Sequence, residues 1–495
     1  MPGSLLRRKA VEACQADADR SEHQLKRSLG VFSLTALGIG AVIGAGIFSS
    51  PGTAAAGGGS HVAAGPALVL SYILVAVACG FAALCYAEMA SMVPVAGSAY
   101  TYAYVTLGEL LAWIIGWDLI LEYAVGNVAV AVSWADYFKS LLAGLGLALP
   151  DWLSTTLDHA RQTPGLLAAA PHVFGVPIVL NLPAGVIVAL LTVLLVLGIQ
   201  ESARVNTAMV LLKLVMVVGF IGVGAFYVRP EHWTPFAPNG LRGILSGASL
   251  IFFAYIGFDA VSTTAEEARN PQRDIPRAMI ATLAVCTVLY AAVTIVLTGM
   301  VSWRELGVGD PLAKALQSAG LQALAGILSF GAVIAMTAVL LVFQLGQPRI
   351  FMVMARDGLL PAWAAKVHPR YRTPYVTTIL TGVFVGIPAM FVDINEAIEF
   401  TNIGTLFAFV LVSVGVIVLR RTDPGRHRPF RCPGVPVLPF FSVVCCGILM
   451  AYLPFITWMR FAVWQAAGIA LYFLYGRRHS RLAQTETPWT PTSSK

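Results

Sequence analysis

The sequence predicts an all-α polytopic membrane protein with twelve transmembrane helices. Three observations predict it: the composition, a recurring apolar stretch, and the placement of positive charge. Of 495 residues, 57% are hydrophobic and 12% charged. Soluble domains average about 45–50% apolar and about 25% charged. So few polar side chains cannot cover a water-exposed surface at this length. That excludes an ordinary soluble enzyme, a disordered chain and, despite the net charge of +7, a nucleic-acid binder.

The apolar stretches run at 31–52, 65–92, 108–137, 183–200, 205–228, 243–266, 276–301, 322–349, 375–392, 395–420, 435–453 and 460–476. About 20 apolar residues cross ~30 Å of hydrocarbon as a helix. The polar head, 1–30, holds Arg7, Arg8, Lys9, Arg20, Lys26 and Arg27 and precedes a long span, so it reads as a cytoplasmic tail rather than a signal peptide. With twelve spans and both termini inside, 24 Lys and Arg fall on inner segments and 7 on outer ones, with Lys213 inside a span. This follows the positive-inside rule. A multi-pass cell (plasma) membrane protein with cytoplasmic termini is expected, with lipid around it. The basic loops 349–374 and 420–434 set topology first and contact lipid second.

The 7 cysteines show no metal-ligand spacing, and most lie in apolar runs where cysteine acts as a small hydrophobe. No metal or cofactor is expected. The outer-loop histidines, His61, His159, His172 and His232, read as solvated.

Two spans are unlike the rest. The first carries Gly38, Gly40, Gly44 and Gly46; the sixth reads Phe252-Phe253-Ala254-Tyr255-Ile256-Gly257-Phe258-Asp259. Glycine within a span lowers helix propensity. These spans open two successive five-span blocks, 31–228 and 240–420, followed by a hairpin at 435–476 and a tail at 477–495. An odd number of spans per block forces the second block to insert upside down. Interrupted segments at matching places in two halves point to a transporter site.

An unwound helix in a membrane exposes backbone N–H and C=O groups, tolerable only against a cavity or a ligand. The new N-terminus suits a carboxylate and the freed carbonyls suit an ammonium. A pair of broken helices thus supplies both poles of an α-amino acid. Gly40-x-x-x-Gly44 also fits a helix-packing motif; the companion break in the sixth span favours a binding site.

Several motifs then occur in one order: Ile39–Phe48, Cys85-Tyr-Ala-Glu88-Met, Pro94–Tyr102, Phe252–Asp259, Glu266–Pro276 and Arg349–Pro361. Together they resemble the amino acid–polyamine–organocation (APC) superfamily, nearest the cationic amino acid transporter branch and its bacterial relatives. The similarity covers residues 25–476. It implies a LeuT-type fold, with ten core helices in two inverted five-helix repeats, discontinuous helices 1 and 6, and a C-terminal hairpin. It implies a carboxylate site on the backbone of Ala45 and Gly46, beside Gly44. It implies ammonium acceptors on the carbonyls of Val42, Phe253, Ala254 and Ile256, with Phe253 covering the substrate. Family members often carry Ser or Thr where this chain has Ala45, so one hydroxyl contact is absent. Ile43, Phe253 and Ile256 line an apolar side-chain pocket, which predicts neutral, small to medium amino acids. A bulky residue at Gly46 is expected to fill the carboxylate's place.

Lys213 lies about 12 Å into the fifth span at 1.5 Å per residue. One reading is a lysine snorkelling to the cytoplasmic face. The other is an interior ammonium, since such residues usually face the protein and act in coupling. In the resembling family, proton-coupled members place a lysine where sodium-coupled relatives bind Na⁺, and Lys213 matches it. That implies proton-coupled symport, with Asp259 or Glu122 as a second proton carrier and Ser329 and Thr337 helping to hold the ammonium. Asp259 and Glu122 also read as hydrogen-bonded structural acids, as does Asp118, one turn before Glu122; Glu88 reads as structural. Trp113 and Trp117 read as packing.

The reading is an amino acid transporter working by alternating access, with an exchanger or uncoupled facilitator as the alternative. A membrane enzyme would need a catalytic cluster at one face, a channel charged rings or pore loops, and a pump a nucleotide loop; the sequence offers none.

Overall fold

The computed structural model describes residues 7–10, 29–58, 61–93, 97–163, 165–198, 203–371 and 373–485. Much of the basic head, and Pro94–Ala96 of one motif, lie outside them. The described chain is predominantly helical, and its one paired sheet is a small hairpin, His172–Val173 with Val176–Pro177.

Each of the twelve apolar stretches contains helix. The first is divided into α1 (Val31–Val42), α2 (Ala45–Phe48) and α3 (Ser50–Ala56). Then come α4 (Leu68–Met92), α5 (Ser98–Thr106) and α6 (Glu109–Gly144). They are followed by α7 (Leu182–Val196) and α8 (Ala203–Gly224). The sixth stretch is again divided, into α9 (Gly240–Ile251), a 3-10 turn at Phe252–Tyr255 and α10 (Ala260–Thr263). The rest are α11 (Pro271–Met300), α12 (Pro311–Ser318), α13 (Gln322–Arg356), α14 (Tyr375–Ala389), α15 (Ile394–Thr422), α16 (Val437–Ala451) and α17 (Phe455–Leu471).

Local chemistry sets several boundaries. The Asn181 side chain accepts from Ala184 N at the start of α7, and Asp393 Oδ1 accepts from Asn395 N at the start of α15. Proline in the first turn opens α3, α7 and α11, where its missing N–H costs nothing. The fourth stretch, read from sequence as 183–200, ends its helix at Val196 because Gly198 turns to φ +77°.

By length and apolarity, seven helices among the described residues are fit to cross a membrane. The α1–α3 segment adds an eighth as one span bent by 53°. The α16–α17 pair turns through 114°, and α7 and α14 have 15 residues each, about 22 Å. The packing is layered around α6 and α13, which run along each other. Equivalent members of the two expected blocks also touch: α4 packs on α11, α6 on α13, and α7 on α14.

Glu88 closes the end of α4 against the loop after α15. Arg420 grips it with Nε–Oε1 at 2.9 Å and Nη2–Oε2 at 2.8 Å, Arg428 stands 3.2 Å away, and Cys432 N donates at 2.7 Å. This is the structural role expected of it. Trp113 and Trp117 stack and donate to Gly468 O and Trp464 O of α17, so they are packing residues.

Candidate functional site: two helix breaks in contact

In the first break the backbone ladder ends with Ile43 N donating to Ile39 O at 2.9 Å. Ile43 is extended, with ψ 99°, and α2 restarts at Ala45. Among the described residues, no backbone amide reaches the carbonyls of Gly40, Ala41 or Val42 beyond that point. Buried carbonyls need donors, and side chains from other helices supply two. Lys213 Nζ of α8 donates to Gly40 O at 2.6 Å, and Tyr290 Oη of α11 donates to Val42 O at 3.0 Å. The Val42 carbonyl, expected as an ammonium acceptor, is thus already engaged, though a carbonyl oxygen has two lone pairs.

In the second break the 3-10 turn gives way to an extended Ile256 and to Gly257 at φ +114°. Gly257 is needed twice over: for that φ, and because a Cβ would stand 3.1–3.2 Å from Ala41. The Ala254 and Ile256 carbonyls receive no backbone hydrogen bond among the described residues.

The two breaks touch. A Cβ on Gly46 would lie 2.3 Å from Ala254 Cα, so the backbones meet with no side chain between them. The first amides of α2 have no partner within their own helix, and Gly46 among them lies directly against Ala254 of the second break. Val42, Ile43, Gly44, Ala45, Gly46, Phe253, Ala254 and Ile256 are all buried. Gly44 leans on Val339 of α13, whose Cγ2 would stand 3.0 Å from an added Cβ. The obstacle to a larger residue at 46 is thus the Ala254 backbone.

Three hydroxyls that sequence reasoning missed complete the frame. Ser50 Oγ and Tyr72 Oη donate to Gly46 O at 2.6 and 3.3 Å, and Tyr137 Oη donates to Phe48 O at 2.6 Å. The signal was present: a tyrosine inside an apolar span must bring its hydroxyl to a polar partner.

The ionisable residues divide. Lys213 is 0% exposed, so it does not snorkel. Its ammonium meets α1, and α8 packs on both α1 and α13. Thr337 of α13, expected beside it, instead donates to Val333 O and accepts from Trp134 Nε1. Asp259 precedes α10, buried, with Oδ1 lacking a hydrogen-bond partner among the described residues. Glu122 is buried on α6. Asp118 Oδ1 accepts from Gln465 of α17, which ties it to the C-terminal pair rather than to the breaks. His61, read from sequence as solvated, is buried against Glu399: its loop folds inward instead of lying in solvent.

With this geometry in place, comparison decides the family. The amino acid permease family matches residues 29–475. The chain belongs to that family. The branched-chain amino acid permease BcaP of Bacillus subtilis (strain 168) is 49% identical over 485 residues, covering 98% of this chain and 100% of that one. The methylthioribose transporter of the same organism is 47% identical over 479 residues, 97% of this chain and 99% of that one. The vacuolar cationic amino acid transporter 4 of Arabidopsis thaliana is 40% identical over 427 residues, 85% of this chain and 68% of that one. The expected superfamily and branch are both met. This permease-family chain is a multi-pass membrane protein of transporter rather than enzyme type.

Proposed function

We propose that this permease is a twelve-span secondary transporter that imports neutral amino acids with protons by alternating access in the plasma membrane. On this reading residues 31–228 and 240–420 are inverted repeats of a LeuT-type fold, 435–476 is a hairpin, and the tails 1–30 and 477–495 are cytoplasmic. The packing of α4 on α11, α6 on α13 and α7 on α14 supports the repeats, because elements beside a two-fold axis touch their own equivalents. The observation that carries the function is the meeting of the two breaks at Gly46 and Ala254. The Ala45 and Gly46 amides face a substrate carboxylate. The Ala254 and Ile256 carbonyls, with those of Phe253 and Val42, face its ammonium. Ile43 and Phe253 bound an apolar side chain, in keeping with a branched-chain permease among the relatives.

Lys213 carries the coupling. Its ammonium holds the Gly40 carbonyl freed by the first break. A proton leaving Lys213 removes a charge-assisted bond from α1 and biases the open and closed states. Asp259 and Glu122 are the alternative carriers.

The test is uptake and counterflow in proteoliposomes. Unlabelled leucine, isoleucine, valine and alanine should compete, whereas arginine and methylthioribose should not, the latter lacking both charged poles. Uptake should follow an imposed proton gradient and ignore replacement of Na⁺ by choline. Lys213→Met should remove the proton dependence while leaving part of the binding, since the substrate contacts are backbone groups elsewhere. If Asp259→Asn removes it and Lys213→Met does not, Asp259 is the carrier. A sodium requirement in the unaltered protein refutes the proton scheme.

A further inference from the structure

The loop after α3, at the end of the first broken helix away from residue 31, ties both breaks to the rest of the protein. Its Val62 N donates to Ser246 Oγ at 3.0 Å, and Asn239 Nδ2 donates to Ala63 O at 2.8 Å. Both partners belong to α9 or the residue before it, the outer half of the second break. Gly243 lies so close that a Cβ would stand 2.4 Å from Ala63 O. The same loop carries His61, whose Nε2 meets Glu399 Oε1 of α15 at 2.7 Å. Thr457 of α17 donates to the other carboxylate oxygen at 2.6 Å. The His61 and Glu399 side chains are 3% and 5% exposed. His61 Nδ1 is buried without a hydrogen-bond partner among the described residues. One histidine thus fastens the outer halves of both broken helices to α15 and α17. The binding machinery described above uses none of these three side chains.

We propose that His61, Glu399 and Thr457 form a proton-responsive latch that holds the outer ends of the two broken helices shut. A carboxylate only accepts, so His61 Nε2 carries the hydrogen in the bond to Glu399. Adding a proton to the ring turns a neutral donor into a cation facing a carboxylate, and such bonds are shorter and about twice as strong. Histidine is the side chain whose charge ordinarily changes between about pH 5 and 8. Acid therefore tightens the latch and alkali loosens it. At this end of the surrounding elements the other charged groups are Asp393, which caps α15, Glu396 of α15, paired with Arg460 of α17 at 2.8 Å, and the exposed Arg242 of α9; Arg420 and Arg421 lie at the far end of α15. On the transport reading, on which the functional consequence rests, a proton arriving from outside favours closure over the bound substrate.

Hydrogen–deuterium exchange of the full-length protein in lipid nanodiscs tests this, read at residues 61–64 after correction for the intrinsic pH dependence of exchange. In the unaltered protein, protection should fall roughly tenfold as pH rises from about 5.5 to about 8. His61→Gln places an amide donor near Nε2 and does not titrate, so its protection should be flat with pH. His61→Ala and Glu399→Gln should exchange faster in acid than the unaltered protein. Protection in the unaltered protein that ignores pH, or a pH response that survives His61→Gln, overturns the latch. If uptake ignores the proton gradient while the loop responds to pH through His61, the latch stands and the coupling scheme falls.

Discussion

Gly46→Ala is the smallest perturbation that separates the two breaks. The added methyl would sit 2.3 Å from Ala254 Cα, 2.8 Å from its Cβ and 2.9 Å from its N. Ordinary contact begins at 3.4 Å, so the backbones must part by about 1.1 Å. Neither side yields easily. Gly46 O is held by Ser50 and Tyr72, and Ala254 belongs to a buried 3-10 turn. Overpacking of this kind costs about 1–3 kcal/mol, and misplacing a binding group by 1 Å can cost about 100-fold in rate. We expect at least a tenfold loss of substrate affinity and uptake, with expression and monodispersity retained. The assay is paired: equilibrium binding on purified protein and initial-rate uptake in proteoliposomes. Gly447→Ala on α16 is the control, because nothing lies within 4 Å of its added methyl. Uptake by Gly46→Ala within twofold of the unaltered protein would show that the breaks do not form the pocket.

Two further predictions follow from the fold. Glu88→Gln leaves Arg428, whose side chain is 2% exposed, without its carboxylate and breaks the bidentate grip of Arg420. Stability should fall by about 3–5 kcal/mol, read as a lower unfolding temperature in a thermal-shift assay; an unchanged midpoint refutes the clamp. For topology, single cysteines at Gly240 and His159 should label from outside and at Gln272 and Arg370 from inside. Thr156 and Thr373, suitable by loop position alone, are buried at 4% and 8% and make poor reporters. Labelling of Gln272→Cys from outside refutes the twelve-span, N-inside arrangement.

The sequence made legible whatever depends on local composition. Glycines 44, 46 and 257 marked both breaks to within a few residues, because the close approach of Gly46 to Ala254 and the positive φ of Gly257 exclude a side chain there. Lys213 stood out because nothing else in its stretch is charged. The hidden features are those in which distant residues satisfy one another. Tyr290 reaches Val42 across 248 positions, and Glu399 reaches His61 across 338. A histidine among glycines and alanines reads as a solvated loop residue until the loop is folded inward. Thr337 looked suited to the Lys213 ammonium by its place on α13, yet Trp134 claims its hydroxyl. Shared proximity to one helix does not specify which polar group a hydroxyl meets.

The two breaks are chemically unequal, and the inequality bears on how they divide the substrate. Breaking α1 frees three carbonyls, of which Gly40 O and Val42 O already have side-chain donors and Ala41 is covered by Gly257. The second break leaves the Ala254 and Ile256 carbonyls without backbone donors among the described residues. On the proposed reading, α2 contributes mainly its amides, to the carboxylate, and the second break mainly its carbonyls, to the ammonium. Lys213 then acts first on the break that holds the carboxylate, through Gly40 and α1. Loss of the Lys213 ammonium should therefore weaken substrates through their carboxylate. Lys213→Met should narrow the affinity gap between an amino acid and its carboxamide, and leave the gap between an amino acid and its N-acetyl form unchanged. Equal narrowing of both gaps in competition assays would show that Lys213 acts on the pocket as a whole.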